Sequence, residues 1–131
     1  ADQTIRAWLA NKGLDFPELV LDNGSGLSRR ERICADSLAR LLAAAWASPI
    51  MPELVSSLPI AAIDGTAKKK FNGNGSAGQA HLKTGSLEGV RGIAGYLLDR
   101  AGRRHIVVFM VNHPSAAQAQ PAFDALLEAR A

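Results

Sequence analysis

The chain has 131 residues, 47% hydrophobic and 21% charged, which is the composition of a globular domain or of a piece of one. Its net charge of +3 is a weak bias, and the short basic runs fall in predicted turns and element ends, so nucleic-acid binding is not expected. No apolar run approaches the roughly 20 residues of a membrane span. The single cysteine, Cys34, excludes an internal disulfide and is expected to be a buried side chain within a helix.

The first half of the chain is predicted to be mainly helical. Ser28 and Glu31 match a capping box, so the longest helix is expected to begin beside them and to end before Pro49. In chain order, the hydrophobic spacing predicts a helix ending near Lys12, a short strand at 19–21, a loop at 22–26, a helix at 29–47, a short helix at 52–58 and a loop at 60–79.

Three strands and a final helix are predicted for the second half. Apolar stretches at 80–86, 90–99 and 104–112 are separated by short turns, and short connections favour antiparallel neighbours because a parallel crossover needs about a dozen residues or more. A last amphipathic helix is indicated by Ala119, Phe123, Leu126 and Leu127, with Pro121 in its first turn. The expected fold class is therefore α+β, with an antiparallel sheet of about three main strands and helices packed on it.

Neither an organic cofactor nor a metal is expected. Gly73, Gly75 and Gly78 have the spacing of a dinucleotide-binding fingerprint, but that motif needs a preceding strand and a following helix, whereas a polar loop precedes these glycines and a strand follows them. The three histidines lack close metal-ligand spacing and are expected to be solvated or locally bonded.

The triplet Lys83-Thr84-Gly85, within the first predicted strand of the second half, carries the most chemical information. A substrate with a free carboxylate needs a fixed cation and a hydroxyl donor, which Lys83 and Thr84 supply. Gly85 lets a substrate backbone approach the strand edge and add to it as a further strand. A Lys-Thr-Gly triplet is also one of the three signatures of penicillin-binding, serine-acylating enzymes.

Several segments together resemble the C-terminal part of the class C low-molecular-weight penicillin-binding proteins, the D-alanyl-D-alanine carboxypeptidase/endopeptidase family. The most specific match is Asp22-Asn23-Gly24-Ser25-Gly26-Leu27-Ser28-Arg29. The other matching segments, in chain order, are 57–61, 64–66, 82–87, 92–96 and 111–112. No serine of this chain has Lys three residues on or Asn two residues on, so the nucleophile signature and the Ser-x-Asn signature are both missing. Residues 1–131 are therefore expected to be the C-terminal part of a transpeptidase-like domain that lacks the nucleophile-bearing segment.

The resemblance implies a serine-type D-Ala-D-Ala carboxypeptidase or endopeptidase that works in the periplasm on peptidoglycan stem peptides and, as the intact enzyme, reacts with β-lactams. Within this chain it implies a catalytic role for Lys83 and substrate-binding roles for Thr84, Gly85 and Ser86. The backbone amide of Ser86 would be one oxyanion donor. No metal or organic cofactor is implied.

Two other functions compete with this interpretation. A non-catalytic module on the same scaffold would bind cell-wall peptide or a protein partner, and the presence or absence of an upstream Ser-x-x-Lys separates it from an enzyme. An anion-binding or nucleic-acid-binding domain would use Lys68-Lys69-Lys70, and its affinity would fall steeply with salt.

Because the nucleophile signature is missing, we predict that the 131-residue chain alone hydrolyses no D-Ala-D-Ala peptide and forms no covalent adduct with penicillin. Mass spectrometry of the intact chain after incubation with penicillin tests this. A stoichiometric mass increase on one serine would contradict the prediction.

Overall fold

The computed structural model describes residues 1–60 and 80–130. In these ranges it contains four α-helices, three strands and a short 3-10 helix. The helices are α1 (Asp2–Asn11), α2 (Ala35–Trp46), α3 (Met51–Ser57) and α4 (Gln120–Arg130), and the 3-10 helix is Ala116–Ala119. The strands are β1 (Ala80–Leu87), β2 (Val90–Leu98) and β3 (Arg104–Asn112).

The three strands form one antiparallel sheet in the order β1-β2-β3, as the short connections predicted. Leu82 lies opposite Gly95, and Gly95 lies opposite Val107, which fixes the register of all three strands. Successive side chains alternate between the two faces of a sheet, so each strand contributes residues to both. The predicted α+β fold class is therefore confirmed.

One face of the sheet packs against α4. The core on this face consists of Ala80, Leu82, Ile93, Leu97, Val107, Phe123 and Leu127, each less than 8% exposed. The rings of Phe109 and Phe123 pack with their centroids 4.4 Å apart, which joins β3 to α4. Pro121 lies in the first turn of α4, where the sequence placed it and where its missing N–H costs no helical hydrogen bond.

The other face of the sheet packs against α2 through an aromatic pair. Tyr96 has no exposed surface, and its hydroxyl donates to the Leu42 carbonyl at 2.7 Å. Its ring centroid lies 5.1 Å from that of Trp46, and the Arg104 guanidinium lies 4.9 Å from the Trp46 ring centroid. These contacts fix α2 against the last residues of β2 and the first residue of β3.

The start of the long helix differs from the prediction. It begins at Ala35 and not beside Ser28, because the backbone of Arg32 pairs with that of Val20 in both directions at 2.9 and 3.0 Å. The Ser28 hydroxyl donates to Asp22 Oδ2 at 2.5 Å, so it holds the preceding loop and caps no helix. The predicted strand at 19–21 is likewise wrong, since Val20 forms only this isolated bridge.

The prediction that Cys34 is buried inside a helix is also wrong. Cys34 is exposed and is the N-cap of α2, where its Sγ accepts from the Ser37 amide at 3.4 Å. Its own amide donates to Glu18 Oε1 at 3.3 Å. Hydrogen bonds from the Ser37 side chain, and then from Cys34, lower the pKa of Glu18 from 4.5 to about 2.

The turn between β2 and β3 is organised by Asp99, which is only 6% exposed. One carboxylate oxygen accepts from the amides of Ala101 and Arg103 at 2.9 and 2.8 Å. The other accepts from Arg103 Nε and lies 2.9 Å from His105 Nε2. These hydrogen bonds, that of His105 foremost, lower the pKa of Asp99 below its ordinary value.

A first stability prediction concerns Gly95. A Cβ at this position would lie 2.1 Å from the His81 carbonyl oxygen, and its φ of 153° disfavours other residues. We expect Gly95→Ala to lower the free energy of unfolding by about 2–4 kcal/mol, because β1 must move away. Gly92→Ala on the same strand is the matched control, since its nearest neighbours would lie at 3.7 Å. Equal urea unfolding midpoints for the two variants would contradict the prediction.

A second prediction concerns the pH dependence that Asp99 causes. Because its pKa is lowered in the folded state, the charged carboxylate stabilises the fold above its ordinary pKa of about 4, and this stabilisation is lost as the pH falls below that value. The stability advantage of the wild type over Asp99→Asn should therefore shrink between pH 5 and pH 2. Urea unfolding of both proteins across this range measures it, and a constant difference would refute it.

Candidate active site

The four candidate site residues lie together on β1, paired with β2. Lys83 lies opposite Ala94, and Ser86 lies opposite Arg91. Lys83, Gly85 and Ser86 are exposed, while Thr84 is half-buried. The predicted strand is confirmed, with one more residue at its end, and the roles of these residues remain predictions.

The backbone of β1 presents alternate residues to the edge that faces away from β2, which is called the open edge because few of the described residues pair with it. The Leu82 amide donates to the Pro59 carbonyl at 2.9 Å, so Leu82 directs its backbone groups away from β2. In an antiparallel pair this direction alternates along the strand. Thr84 and Ser86 therefore direct their N–H and C=O groups to the same side as Leu82. Among the described residues, only the segment ending at Ile60 pairs with this edge, and it does so at His81.

The edge has a basic group and an open backbone. Lys83 Nζ donates to the Thr84 carbonyl at 2.8 Å, so the ammonium already lies over the outward-facing side of the strand. A Cβ placed on Gly85 would meet no atom of residues 1–60 or 80–130 within 4 Å. Another peptide backbone can therefore approach this stretch of β1 without a side chain between them.

The loop at 22–30 is held by its own polar groups. Asn23 Oδ1 accepts from the Ser25 amide at 3.0 Å, and Ser25 Oγ accepts from the Leu27 amide at 3.2 Å. Asp22 accepts from both the Ser28 hydroxyl and the Arg30 guanidinium. These bonds fold the loop back on itself and leave the Leu27 side chain 73% exposed.

Arg29 joins this loop to the β1–β2 turn, because its Nη1 donates to the Glu88 carbonyl at 2.8 Å. The Asp22–Arg29 segment therefore contacts the turn that follows the strand carrying Lys83-Thr84-Gly85. Sequence reasoning missed Arg29 as a contact residue, since it was expected to start a helix and its partner lies 59 positions away. The match of Asp22–Arg29 to a family segment was the one signal that marked it.

No group of three or more His, Cys, Asp or Glu side chains is arranged to hold a metal ion within 1–60 and 80–130. His105 pairs with Asp99, and His113 Nδ1 accepts from the Ser115 amide at 3.0 Å. The glycines of the fingerprint-like stretch and Lys68-Lys69-Lys70 lie outside the described residues. In the part of the chain that the structure describes, the helices are too short or too polar to cross a membrane.

The sequence of this chain is similar to those of two bacterial carboxypeptidases. The chain is 35% identical over 94 residues to a D-alanyl-D-alanine carboxypeptidase of Actinomadura sp. (strain R39), covering 68% of this chain and 18% of that protein. It is 34% identical over 125 residues to the carboxypeptidase DacB of Mycolicibacterium smegmatis, covering 90% of this chain and 27% of that protein. The chain therefore spans only about a fifth to a quarter of the length of these two relatives.

Among solved structures, penicillin-binding protein 4 (dacB) from Haemophilus influenzae matches with a TM-score of 0.75 at 23% identity, over 96% of this chain and 31% of that one. At this identity the match shows the fold. The model of the D-Ala-D-Ala carboxypeptidase 3 (S13) family matches residues 1–130. Because that match covers nearly the whole sequence, this chain belongs to the D-Ala-D-Ala carboxypeptidase 3 (S13) family.

Proposed function

We propose that this chain is part of a serine-type D-Ala-D-Ala carboxypeptidase or endopeptidase and that it contributes the Lys83-Thr84-Gly85 wall of the active site. The observation that carries the proposal is the open edge of β1, where Thr84 and Ser86 direct their backbone groups outward beside Lys83. The intact protein, of which the relatives suggest this chain is a minor part, supplies the nucleophilic serine.

Substrate binding follows from the geometry of this edge. An extended peptide ending in D-Ala-D-Ala pairs with the outward groups of Thr84 and Ser86 as an added strand. Lys83 leaves the Thr84 carbonyl and binds the terminal carboxylate, while the Thr84 hydroxyl donates to the same group. The Thr84 carbonyl then becomes available to accept from the substrate backbone.

Catalysis follows from the position of Ser86. A serine from the rest of the enzyme attacks the D-Ala-D-Ala carbonyl and forms a tetrahedral intermediate with a negatively charged oxygen. The Ser86 amide, directed to the open edge, donates a hydrogen bond to that oxygen and so stabilises the transition state. Collapse of the intermediate breaks the C–N bond and expels the terminal D-Ala, whose amine takes up the proton that the serine hydroxyl released, and it leaves an acyl-enzyme, which water hydrolyses. Lys83 is the only charged residue of the triplet, so it makes the largest electrostatic contribution of the three to binding the substrate carboxylate.

Reaction with β-lactams and periplasmic action are part of the same proposal. The Haemophilus influenzae protein has been solved in complex with a β-lactam, and a related predatory endopeptidase from Bdellovibrio bacteriovorus has been solved acylated by penicillin G. The family description gives a D-Ala-D-Ala substrate, and we propose that this substrate is a peptidoglycan stem peptide that the enzyme meets in the periplasm. A non-catalytic peptide-binding module is the alternative, and a full-length protein without Ser-x-x-Lys would support it.

The proposal predicts a strong and selective effect of Lys83. In the full-length enzyme, Lys83→Ala should lower kcat/KM on a D-Ala-D-Ala peptide tenfold to a hundredfold or more, since a hydrogen bond to an ionised group contributes roughly 1.5–3 kcal/mol. Thr84→Val should cause a smaller loss, because it removes one hydroxyl and keeps the shape of the side chain.

Lys12→Ala is the control, since Lys12 follows α1, outside the strand that carries the triplet, and its Nζ lies 5.8 Å from the Trp8 ring centroid. It should leave kcat/KM unchanged. Wild-type rates for Lys83→Ala, with the circular dichroism spectrum intact, would mean that the triplet has no part in substrate binding.

A further inference from the structure

The β1–β2 turn, Glu88 and Gly89, begins two residues after Ser86, the candidate oxyanion donor, and the carbonyls of the turn and of its two flanking residues all accept hydrogen bonds. Arg91 Nη1 donates to the Leu87 carbonyl at 2.5 Å and to the Val90 carbonyl at 2.8 Å. The Gly89 carbonyl accepts from the amide of His113, beyond the end of β3, at 2.9 Å.

With the bond from Arg29 to the Glu88 carbonyl, all four carbonyls from Leu87 to Val90 have a donor. Leu87 and Val90 are paired residues of the ladder, whereas Glu88 and Gly89 lie in the turn, where a surface carbonyl is ordinarily satisfied by water. Here the donors come from three places: the 22–30 loop, β2 and the segment after β3. The turn is therefore fixed to the rest of the fold at each of its residues.

Arg91 differs from the other donors because its side chain bonds only to the two strand residues that flank the turn. It is half-buried, and it forms no ion pair with a carboxylate of the described residues. Its two bonds join the last residue of β1 to the first residue of β2, across the turn. Its backbone lies opposite Ser86, whose amide points to the other side of β1, and its side chain holds Leu87, the residue that follows Ser86.

We propose that Arg91 is a positioning residue for the reaction: it holds the end of β1 so that the Ser86 amide keeps the direction that the oxyanion requires. The inference rests on the proposed function. An oxyanion donor acts only when it is held in advance at the place where charge develops, so movement of this strand end lowers the rate of the chemical step more than substrate binding. Lys83, three residues earlier on the strand, still binds the carboxylate.

The first arm of the test uses the full-length enzyme. Arg91→Gln is expected to lower kcat on a D-Ala-D-Ala peptide about tenfold with KM changed less than about twofold, because the lost interaction belongs to the transition state. Arg91→Lys keeps a charged N–H donor and should recover part of the loss. Arg104→Gln is the matched control at the opposite end of the sheet, where Arg104 stacks on Trp46, and it should leave both constants unchanged.

The second arm uses the 131-residue chain and does not depend on activity. Hydrogen exchange of the Leu87 and His113 amides should become about five- to tenfold faster in Arg91→Gln, while exchange of the Leu97 amide in the core stays the same. Unchanged exchange at the turn would overturn the proposal, since Arg91 would then hold nothing.

The two arms separate the possible failures. A loss of kcat with constant KM, together with faster exchange at the turn, supports the positioning role. Faster exchange with unchanged kcat in an active enzyme overturns it, as does a rise in KM alone. A wild-type full-length enzyme that neither hydrolyses the peptide nor reacts with penicillin would refute the proposed function, and the positioning role with it. Faster exchange in Arg91→Gln would in that case still show that the Arg91 side chain holds the turn.

Discussion

The antiparallel pairing of β1 with β2 is the constraint on which the candidate site depends. In such a pair, the backbone groups of each strand alternate between the partner strand and the opposite side. The bond from the Leu82 amide to Pro59 shows which residues of β1 face away from β2. The outward direction of Thr84 and Ser86 follows from that single bond. A shift of the register by one residue would turn both amides into the sheet, and no side-chain substitution in the triplet would restore the edge.

The two faces of the sheet keep that register fixed. Leu82 and Ile93 are buried against α4, while Tyr96 is buried against α2, so a shift of one residue would bring polar groups into both layers. Burial also raises the pKa of Tyr96, and its hydroxyl remains a donor to Leu42. The site therefore lies on a strand whose position is set by packing on both sides, which is the arrangement that a preorganised donor needs.

Much of the second half of the chain could be predicted from the sequence, and less of the first half. The apolar stretches of the three strands and the short turns between them depend on local patterns, so their bounds agree with the structure within a residue or two. The capping box at Ser28 was misleading because Asp22 and the backbone of Val20 offered stronger partners from earlier in the chain. Contacts of this kind depend on the tertiary fold, and one sequence contains no local signal for them. The same holds for Arg29 and Arg91, whose roles at the turn depend on carbonyl directions that a sequence pattern does not specify.

Two glycines of the sheet, Gly95 and Gly85, differ in whether the fold itself requires a glycine at their position. Gly95 is required by the fold itself, since a Cβ there would lie 2.1 Å from the His81 carbonyl oxygen. Gly85 meets nothing within 4 Å and has no left-handed φ, so neither packing nor backbone conformation in the described residues requires a glycine at that position. A glycine within a strand interior weakens the strand, because it adds backbone freedom and no packing. Gly85 therefore weakens β1 and stabilises nothing else in the described residues. A peptide substrate that adds to this edge as a further strand would explain why a glycine stands between Thr84 and Ser86.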